Sequence, residues 1–214
     1  MMKGPRIVLA DDHSLILAGI RGLLEPFCEL VREVGDGRSL VAAALELRPD
    51  LVILDITMPL LNGIDAARKI REEWPEVKLL FLTMHANPVY LREALRVGGM
   101  GYVLKSAATE ELRTAVQRVL RGKTYVTPSF GQIAPDLIDP GSAKASRAYA
   151  GLTERQREIL QLVAEGRGNK EVASILQISV KTVEFHRGRM MRKLGVHTAA
   201  ELGKFAVQAG LVGE

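Results

Sequence analysis

The first half of the chain contains four short apolar runs, each followed directly by a polar side chain that can contact a phosphoryl group. The runs are residues 7–10 before Asp11 and Asp12, 51–54 before Asp55, 79–82 before Thr83, and 102–104 before Lys105. Continuous apolar runs of this length, rich in Val, Ile and Leu, predict parallel strands that are buried on both faces. In an open α/β sheet, ligands bind at the carboxyl ends of the strands. The pattern therefore predicts that three carboxylates, a hydroxyl and an ammonium group converge at one edge of a sheet.

Helix-like segments alternate with these runs. They cover residues 14–24, 38–47, 63–73, 88–97 and 109–120, and a fifth strand is predicted at 30–34. Regular alternation of strands and helices is typical of a parallel sheet with right-handed crossovers. We therefore predict an α/β fold, a five-stranded doubly wound parallel sheet of the flavodoxin-like type with helices on both faces.

The composition changes after residue 127. Residues 128–150 contain several Pro, Ser and Gly, which predicts a linker with a short helical turn near Gln132. From residue 151 onward the pattern is helical, and a chain of 214 residues is long enough for two domains. We therefore divide the chain into an α/β domain at 1–127, a linker at 128–150 and a small all-α domain at 151–214.

Capping residues predict the helix starts in the second domain. They are Thr153 with Gln156, Ser179, and Thr198 with Glu201. A short helix at 170–176 is joined by a three-residue turn to the longer helix that Ser179 begins. Two helices joined by so short a turn are typical of a helix-turn-helix domain. We therefore predict four helices in this domain, in a helix-turn-helix arrangement.

The bulk composition excludes some classes of protein. No apolar stretch reaches the ~20 residues needed to span a bilayer, and the N-terminus lacks a signal-peptide core, so we expect a cytoplasmic protein with no membrane partner. The single cysteine, Cys28, excludes an internal disulfide framework and suits a reducing compartment. The net charge of +4 is too small to establish a nucleic-acid partner by itself.

The strand-end cluster has the chemistry of a divalent-cation site. Neighbouring carboxylates repel one another, and a bound cation would neutralise them. Oxygen ligands without clustered His or Cys favour Mg²⁺ (or Mn²⁺) over zinc. Asp55 is the natural phosphoryl acceptor, because it ends the predicted central strand and precedes a turn that exposes it. Lys105 and Thr83 are then expected to contact the phosphoryl oxygens.

Other protein classes share parts of this pattern. An isolated Asp or Thr at a strand end more often caps a helix or forms a turn, but here all four positions fall at strand ends of one domain. A phosphatase of the haloacid dehalogenase type needs Asp-x-Asp at the first strand, where this chain has Asp11-Asp12. A flavodoxin-like flavin binder needs a hydroxyl- and Gly-rich phosphate loop, where the carboxylates of this chain would repel phosphate. The pattern fits neither class.

The first domain resembles the receiver domain of bacterial two-component response regulators. The matching residues are Asp11-Asp12, Asp55, Met58-Pro59, Asn62-Gly63, Thr83, Tyr102 and Lys105. They belong to a stretch of about residues 6–126, the full length of a receiver. The resemblance implies that Asp55 accepts a phosphoryl group from a sensor histidine kinase. It also implies that the protein is not an enzyme beyond this phosphotransfer and a slow self-dephosphorylation.

The same resemblance assigns roles to individual residues. The implied metal ligands are Asp12, Asp55 and the backbone carbonyl of Thr57, with Asp11 assisting through water. Thr83 and Tyr102 are implied to form a switch pair, in which Thr83 moves toward the phosphoryl group and Tyr102 turns inward. His85, two residues after Thr83, is expected near the mouth of the site, either influencing the attack of water on the phosphoaspartate or simply exposed on a loop.

The second domain resembles the LuxR-type helix-turn-helix domain. The matching residues are Leu152-Thr153, Glu158-Ile159-Leu160, Asn169-Lys170-Glu171-Val172-Ala173, the run from Ser179 to Arg187, and Lys193-Leu194-Gly195. The two domains together resemble a transcriptional regulator of the NarL/FixJ type. This resemblance implies that the chain binds promoter DNA, and that the last helix forms a homodimer contact.

The helix that follows Ser179 carries five basic side chains and one acidic side chain, which suits a DNA major groove. The residues assigned to DNA contacts are Asn169, Lys170, Lys181, Thr182, Glu184, Phe185, Arg187, Gly188 and Arg192. Glu184 can accept a hydrogen bond from cytosine, and Phe185 can contact a thymine methyl group. Gly188 has no side chain with which to recognise a base. A separate alternative is a receiver that acts through protein partners, with a helical domain that does not recognise DNA.

Overall fold

The computed structural model describes residues 4–84, 86–128, 130, 140–209 and 211. The chain folds as two compact units, Met1–Leu137 and Ile138–Glu214. The first is an α/β unit and the second is all-α, as the hydrophobic pattern predicts. None of the described helices combines the length and the apolar character needed to cross a membrane.

The first unit is built on one parallel sheet. Its strands are β1 (Arg6–Ala10), β2 (Glu29–Val34), β3 (Leu51–Leu54), β4 (Leu79–Thr83), β5 (Gly101–Leu104) and β6 (Tyr125–Val126), in the order β2-β1-β3-β4-β5-β6. All residues of β3, β4 and β5 are buried, which explains why these strands are continuous apolar runs without alternation.

The predicted count of five strands is wrong by one. Strand β6 pairs with β5 through Gly101 opposite Tyr125 and Tyr102 opposite Val126. A strand of two residues is too short to produce a recognisable periodicity, so its position could not be predicted from the hydrophobic pattern.

Helices cover both faces of the sheet. They are α1 (Ser14–Leu24), α2 (Gly37–Leu47), α3 (Gly63–Glu73), α4 (Pro88–Arg96) and α5 (Ala108–Leu120), and a 3₁₀ turn at Lys105–Ala107 precedes α5. One apolar core contains Leu40 of α2, Ile70 of α3 and Ala94 of α4. A second core contains Leu24 of α1 and Val116 of α5. The doubly wound arrangement is therefore confirmed.

The second unit contains five helices in its described part. They are α6 (Pro140–Ala150), α7 (Glu154–Ala164), α8 (Asn169–Leu176), α9 (Val180–Leu194) and α10 (Ala199–Gln208). The capping boxes of Thr153 with Gln156 and of Thr198 with Glu201 are both formed, and Ser179 accepts a hydrogen bond from the Thr182 backbone amide. These contacts satisfy amides that the helices leave without intrahelical partners.

Helix α6 falls inside the segment 128–150 that was predicted to be a linker, where no helix of this length was expected. The Pro, Gly and Ser at its start favour a loop prediction, but Pro is well tolerated in a first helical turn, and four alanines follow. Helix α6 packs against α10, and the Ala145 side chain is buried. The helical turn predicted near Gln132 lies outside the described residues.

Candidate functional site

The carboxyl ends of β1, β3 and β5 bring two aspartates and a lysine together. Asp11 follows β1, Asp55 follows β3, and the Asp55 backbone amide donates to the Ala10 carbonyl at 2.9 Å, which keeps the two strand ends in register. Lys105 follows β5, and its Nζ lies 2.7 Å from Asp11 Oδ2 and 2.7 Å from Asp55 Oδ2. One ammonium group therefore contacts two carboxylates from separate strands.

These three charges lie away from solvent. The side chains of Asp11, Asp55 and Lys105 are 1%, 4% and 3% exposed. Burial raises the pKa of Asp55, and the charge of Lys105 opposes that rise. Burial by itself would lower the pKa of Lys105, but attraction to Asp55 and the hydrogen bonds to both carboxylates raise it overall. The ammonium therefore stays charged beside the two aspartates.

Asp12 and His13 complete the acidic end of the site. His13 Nδ1 lies 2.8 Å from Asp12 Oδ1 and 3.2 Å from Asp11 Oδ1. The carboxylate oxygens of the three aspartates and a ring nitrogen of His13 all lie within 4.8 Å of one another, a spacing at which they could hold a metal ion. His13 was not among the predicted site residues: it is exposed on a loop, and its position directly after Asp12 is the only signal in the sequence.

Hydrogen bonds hold the loop between β3 and α3 against Asp55. The Ile56 amide donates to Asp55 Oδ1 at 2.6 Å, and the Gly63 amide donates to the Ile56 carbonyl at 2.8 Å. A Cβ atom at Gly63 would lie 1.9 Å from the Asp55 carbonyl oxygen, so only glycine allows this approach. Asn62 accepts a hydrogen bond from the Asp65 amide and caps α3. Thr57 lies half-buried in this loop.

Thr83 and Tyr102, the predicted switch pair, are both fully buried. Thr83 ends β4, and Tyr102 lies in the neighbouring strand β5. The Tyr102 ring meets the Phe130 ring edge to face, and burial strongly raises the pKa of the Tyr102 hydroxyl. Phe130 lies beyond β6, and the sequence pattern gave no signal for this contact. His85, predicted near the mouth of the site, lies outside the described residues.

Helix α9 exposes the face that was predicted to meet DNA. Its Val183 and Met190 side chains are buried, whereas the predicted contact residues on the opposite side are exposed. The exposed predicted contacts are Lys181, Glu184, Phe185, Gly188 and Arg192, together with Lys170 at the start of α8. The amphipathic pattern of the sequence therefore describes the two sides of this helix correctly.

Three other predicted DNA contacts lie at the junction of α8 and α9. Arg187 Nη1 donates to Asn169 Oδ1 at 3.0 Å, and both residues are half-buried. Thr182 Oγ1 lies 2.8 Å from the Oγ of Ser179, the residue that caps α9. Arg187 and Asn169 thus connect the two helices to each other, a structural role that the sequence analysis did not foresee.

Two family models match the chain. Residues 7–117 match the response regulator receiver domain, and residues 150–206 match the bacterial regulatory proteins of the luxR family. The oxygen regulatory protein NreC of Staphylococcus aureus (strain MRSA252) is 37% identical over 97% of this chain and 99% of its own length. The transcriptional regulatory protein MctR of Rhizobium johnstonii is 36% identical over 97% of this chain and 95% of its own length.

Solved structures of response regulators are also similar to this chain. RcsB of Salmonella enterica serovar Typhimurium, bound to promoter P1flhDC in the presence of the phosphomimetic BeF3⁻, aligns with a TM-score of 0.62 and 27% identity. That alignment covers 97% of this chain and 100% of RcsB. A LuxR-family two-component response regulator from Aurantimonas sp. SI85-9A1 aligns with a TM-score of 0.58 and 34% identity, covering 61% of this chain and 94% of that protein.

Proposed function

The chain belongs to the two-component response regulators that join a receiver domain to a LuxR-type DNA-binding domain, and on that basis we propose that phosphorylation of Asp55 controls its binding to promoter DNA. A sensor histidine kinase supplies the phosphoryl group. The protein then acts as a transcription regulator in the bacterial cytoplasm, where promoter DNA is found.

The contact of Lys105 with both Asp11 and Asp55 carries this proposal, at 2.7 Å in each case. A carboxylate oxygen of Asp55 attacks the phosphorus of a phosphohistidine, the P–N bond breaks, and an acyl phosphate forms. Lys105 stays charged and can follow the new phosphoryl oxygens, and the Thr83 hydroxyl can donate to one of them. Phosphoryl transfer depends on this kind of positioning and charge neutralisation.

The acidic end of the site fits a hard divalent cation. Asp11, Asp12, Asp55 and the Thr57 carbonyl supply oxygen ligands, the preference of Mg²⁺ or Mn²⁺. Such an ion, when bound, would neutralise negative charge on the transferred group. The carboxylate oxygens of the three aspartates lie within 4.8 Å of one another and of a His13 ring nitrogen. We assign Asp12, Asp55 and Thr57 as direct ligands, with Asp11 acting through water.

We assign transmission of the signal to Thr83 and Tyr102. When Thr83 moves toward a phosphoryl group on Asp55, the space beside Tyr102 changes, and the receiver surface changes with it. Phosphorylation would then favour the form that dimerises and binds DNA, which is a population shift between two states. RcsB structures include dimers on DNA, and we propose the same for this chain.

The DNA surface is assigned to α9 and the start of α8. Lys170, Lys181 and Arg192 are exposed cations that can contact phosphates, which orients a protein without sequence recognition. Glu184 and Phe185 are exposed in the middle of this face and can reach base edges. For the domain limits we propose a receiver at 1–127, a connecting segment at 128–150 that includes α6, and the DNA-binding domain at 151–214.

A further surface suits contact with the kinase or a second receiver. Leu15 on α1 is 83% exposed and lines a cavity of about 250 Å³ between α1 and α5, together with Ile16 and Lys105. Ile16 and Leu17, which follow it on the same helix, are both half-buried. Leu15 is therefore the better candidate on this helix.

Labelling of the intact protein tests the assignment of Asp55. Incubation with acetyl phosphate and Mg²⁺ should add one phosphoryl group, detected by intact-protein mass or by a phosphate-affinity gel. The Asp55→Asn variant should remain unlabelled, and the control Asp50→Asn, at an exposed position outside the site, should label normally. Equal labelling of Asp55→Asn and wild type would exclude Asp55 as the acceptor.

A further inference from the structure

An exposed aromatic ring lies in the middle of the basic helix α9. Phe185 is 55% exposed, and it is the only aromatic side chain among the large apolar residues that the described structure leaves at the surface. No other large apolar side chain of α9 is exposed, so no apolar patch explains the exposure. An exposed Phe gains stability when a partner removes it from water.

The Phe185 ring contacts two neighbours on its own helix, Arg189 and His186. The guanidinium carbon of Arg189 lies 4.9 Å from the ring centroid, a cation–π contact one helical turn away. The His186 ring meets the Phe185 ring edge to face, with centroids 5.5 Å apart and an interplanar angle of 77°. A ring held in place before binding loses less conformational freedom when a partner arrives.

Gly188 leaves an opening beside this ring. It lies three residues after Phe185 on the exposed face, and a Cβ atom built at Gly188 would meet no atom within 4 Å. Because Gly188 has no side chain, the helix backbone at this position can lie close to a partner that Phe185 contacts. The missing side chain therefore allows the Phe185 ring to reach further into a groove.

Arg189 also connects the ring to a wider basic cleft. The cleft lies between α9 and the start of α7, and it is lined by Arg189, Arg192 and Lys193 with Thr153 and Gln156. Three cations in one cleft attract a phosphodiester backbone. Arg189 is therefore placed between a ring that can reach a base and a cleft that attracts phosphate.

We propose that Phe185, held in position by Arg189, recognises the 5-methyl group of a thymine in the major groove. A phenyl ring has no hydrogen-bond donor or acceptor, and the thymine methyl is the apolar feature on a base edge in that groove. Arg189 is a positioning residue in this proposal, and Phe185 is the specificity-determining residue. The inference rests on the proposed binding of DNA through α9.

Removal of single methyl groups from DNA tests the proposal. Duplexes are first selected from a random-sequence pool with the full chain treated with acetyl phosphate, and each thymine of the selected site is then replaced by deoxyuridine. Wild type should lose about fourfold in affinity at one position per half-site, the value expected for burying one methyl group. Phe185→Ala should bind the thymine and deoxyuridine duplexes equally, whereas Lys181→Ala should bind both more weakly and keep the fourfold ratio.

The positioning role of Arg189 has its own readout. Arg189→Lys keeps the positive charge but loses the planar guanidinium, so the methyl effect should shrink while the salt dependence of binding stays the same. Arg189→Gln should reduce both the methyl effect and the salt dependence of binding. Both residues are exposed, so the variants should fold, and melting curves check this.

The possible failures are distinguishable. If DNA is selected but no thymine responds to the loss of its methyl group, or if Phe185→Ala keeps the full effect, the proposal is wrong while DNA binding stands. If both Arg189 variants keep the fourfold ratio, Arg189 is not a positioning residue. If the phosphorylated chain selects no duplex at all, the proposed function fails together with this inference.

Discussion

The rings of Tyr102 and Phe130 meet edge to face, with their centroids 5.4 Å apart and their planes at 82°. Backbone hydrogen bonds support the contact, because the Thr127 amide donates to the Tyr102 carbonyl at 2.9 Å and the Phe130 amide donates to the Thr127 carbonyl at 3.0 Å. Thr127 Oγ1 also accepts from the Leu104 amide at 3.1 Å. The segment 127–130, which follows β6, is thus bonded to the predicted switch residue Tyr102 and to strand β5, which precedes Lys105.

Truncation of Phe130 should destabilise the receiver unit. Phe130 is 8% exposed, and Phe130→Ala should lower the free energy of unfolding by about 3 kcal/mol, the usual cost of a buried Phe→Ala change. Phe130→Leu keeps most of the apolar volume and should cost less than half as much. Urea unfolding of the full chain, followed by the fluorescence of the single tryptophan, Trp74 of the receiver unit, measures both values. Equal stability of Phe130→Ala and wild type would show that this contact contributes nothing.

Removal of the Lys105 charge should destabilise the chain when Mg²⁺ is absent. Lys105→Met leaves Asp11 and Asp55 buried without their cation, and breaking a buried ion pair of this kind costs about 3 kcal/mol. Addition of Mg²⁺ should restore part of that loss, because the ion supplies the missing positive charge. Lys123→Met, at an exposed position, is the matched control and should unfold like wild type. A Lys105→Met variant whose melting temperature matches that of Lys123→Met would refute this account of the site.

Two glycines of the second unit should respond to alanine in opposite directions. At Gly188, within α9, a Cβ atom meets nothing and the backbone is helical, so Gly188→Ala should stabilise the unit by about 1 kcal/mol. At Gly195 a Cβ atom also meets nothing, but φ is +68°, so Gly195→Ala should destabilise the unit by about 1 kcal/mol. Thermal melts measure the melting temperature of each variant. Because a Cβ atom meets nothing at either position, a difference between the two variants reports backbone conformation and not packing. A lower melting temperature for Gly188→Ala would contradict the prediction.

Cys28 should react slowly with thiol reagents in the native protein. Burial raises the pKa of its thiol to about 11 from an ordinary value of 9.0. Because the thiolate is the reactive form, the rate at pH 8 should fall roughly a hundredfold relative to the chain in urea. A single cysteine makes the measurement unambiguous. Similar rates in buffer and in urea would contradict the prediction.

The same pKa shift gives a pH dependence of stability. The folded value lies above the unfolded one, so the contribution of Cys28 is complete below about pH 9. It is then lost as the pH rises through about 11. Cys28→Ala should remove this part of the alkaline loss of stability, which unfolding curves across that range would show.

The sheet and its helices follow from the sequence because local and global signals agree. Strands β1, β3 and β4 are apolar runs rich in Val, Ile and Leu with both faces buried, and the predicted helix caps Thr153 and Ser179 are formed. Polar residues directly after the strands could be placed at one edge because parallel strands share their carboxyl end. That rule alone was sufficient to predict that Asp11, Asp55 and Lys105 lie close together.

Other features required coordinates. The contact of Phe130 with Tyr102 depends on how the chain turns after β6, which no periodicity reports. The approach of His13 to Asp12 depends on loop conformation. Arg187 and Asn169 both carry polar groups that suit DNA, and only the geometry shows that they bind each other. These contacts join side chains that are far apart in the sequence or that lie on loops. The periodicity of hydrophobic residues does not predict contacts of either kind.

The most direct test of the central claim is the affinity for promoter DNA before and after phosphorylation. In mobility-shift titrations of the full chain on selected duplexes, acetyl phosphate with Mg²⁺ should tighten binding by wild type about tenfold, within the usual range of allosteric coupling. The Asp55→Asn variant should show no change. Equal affinities of wild type in the two states would contradict control of DNA binding by Asp55. Absence of binding in both states would instead favour a receiver that acts through protein partners.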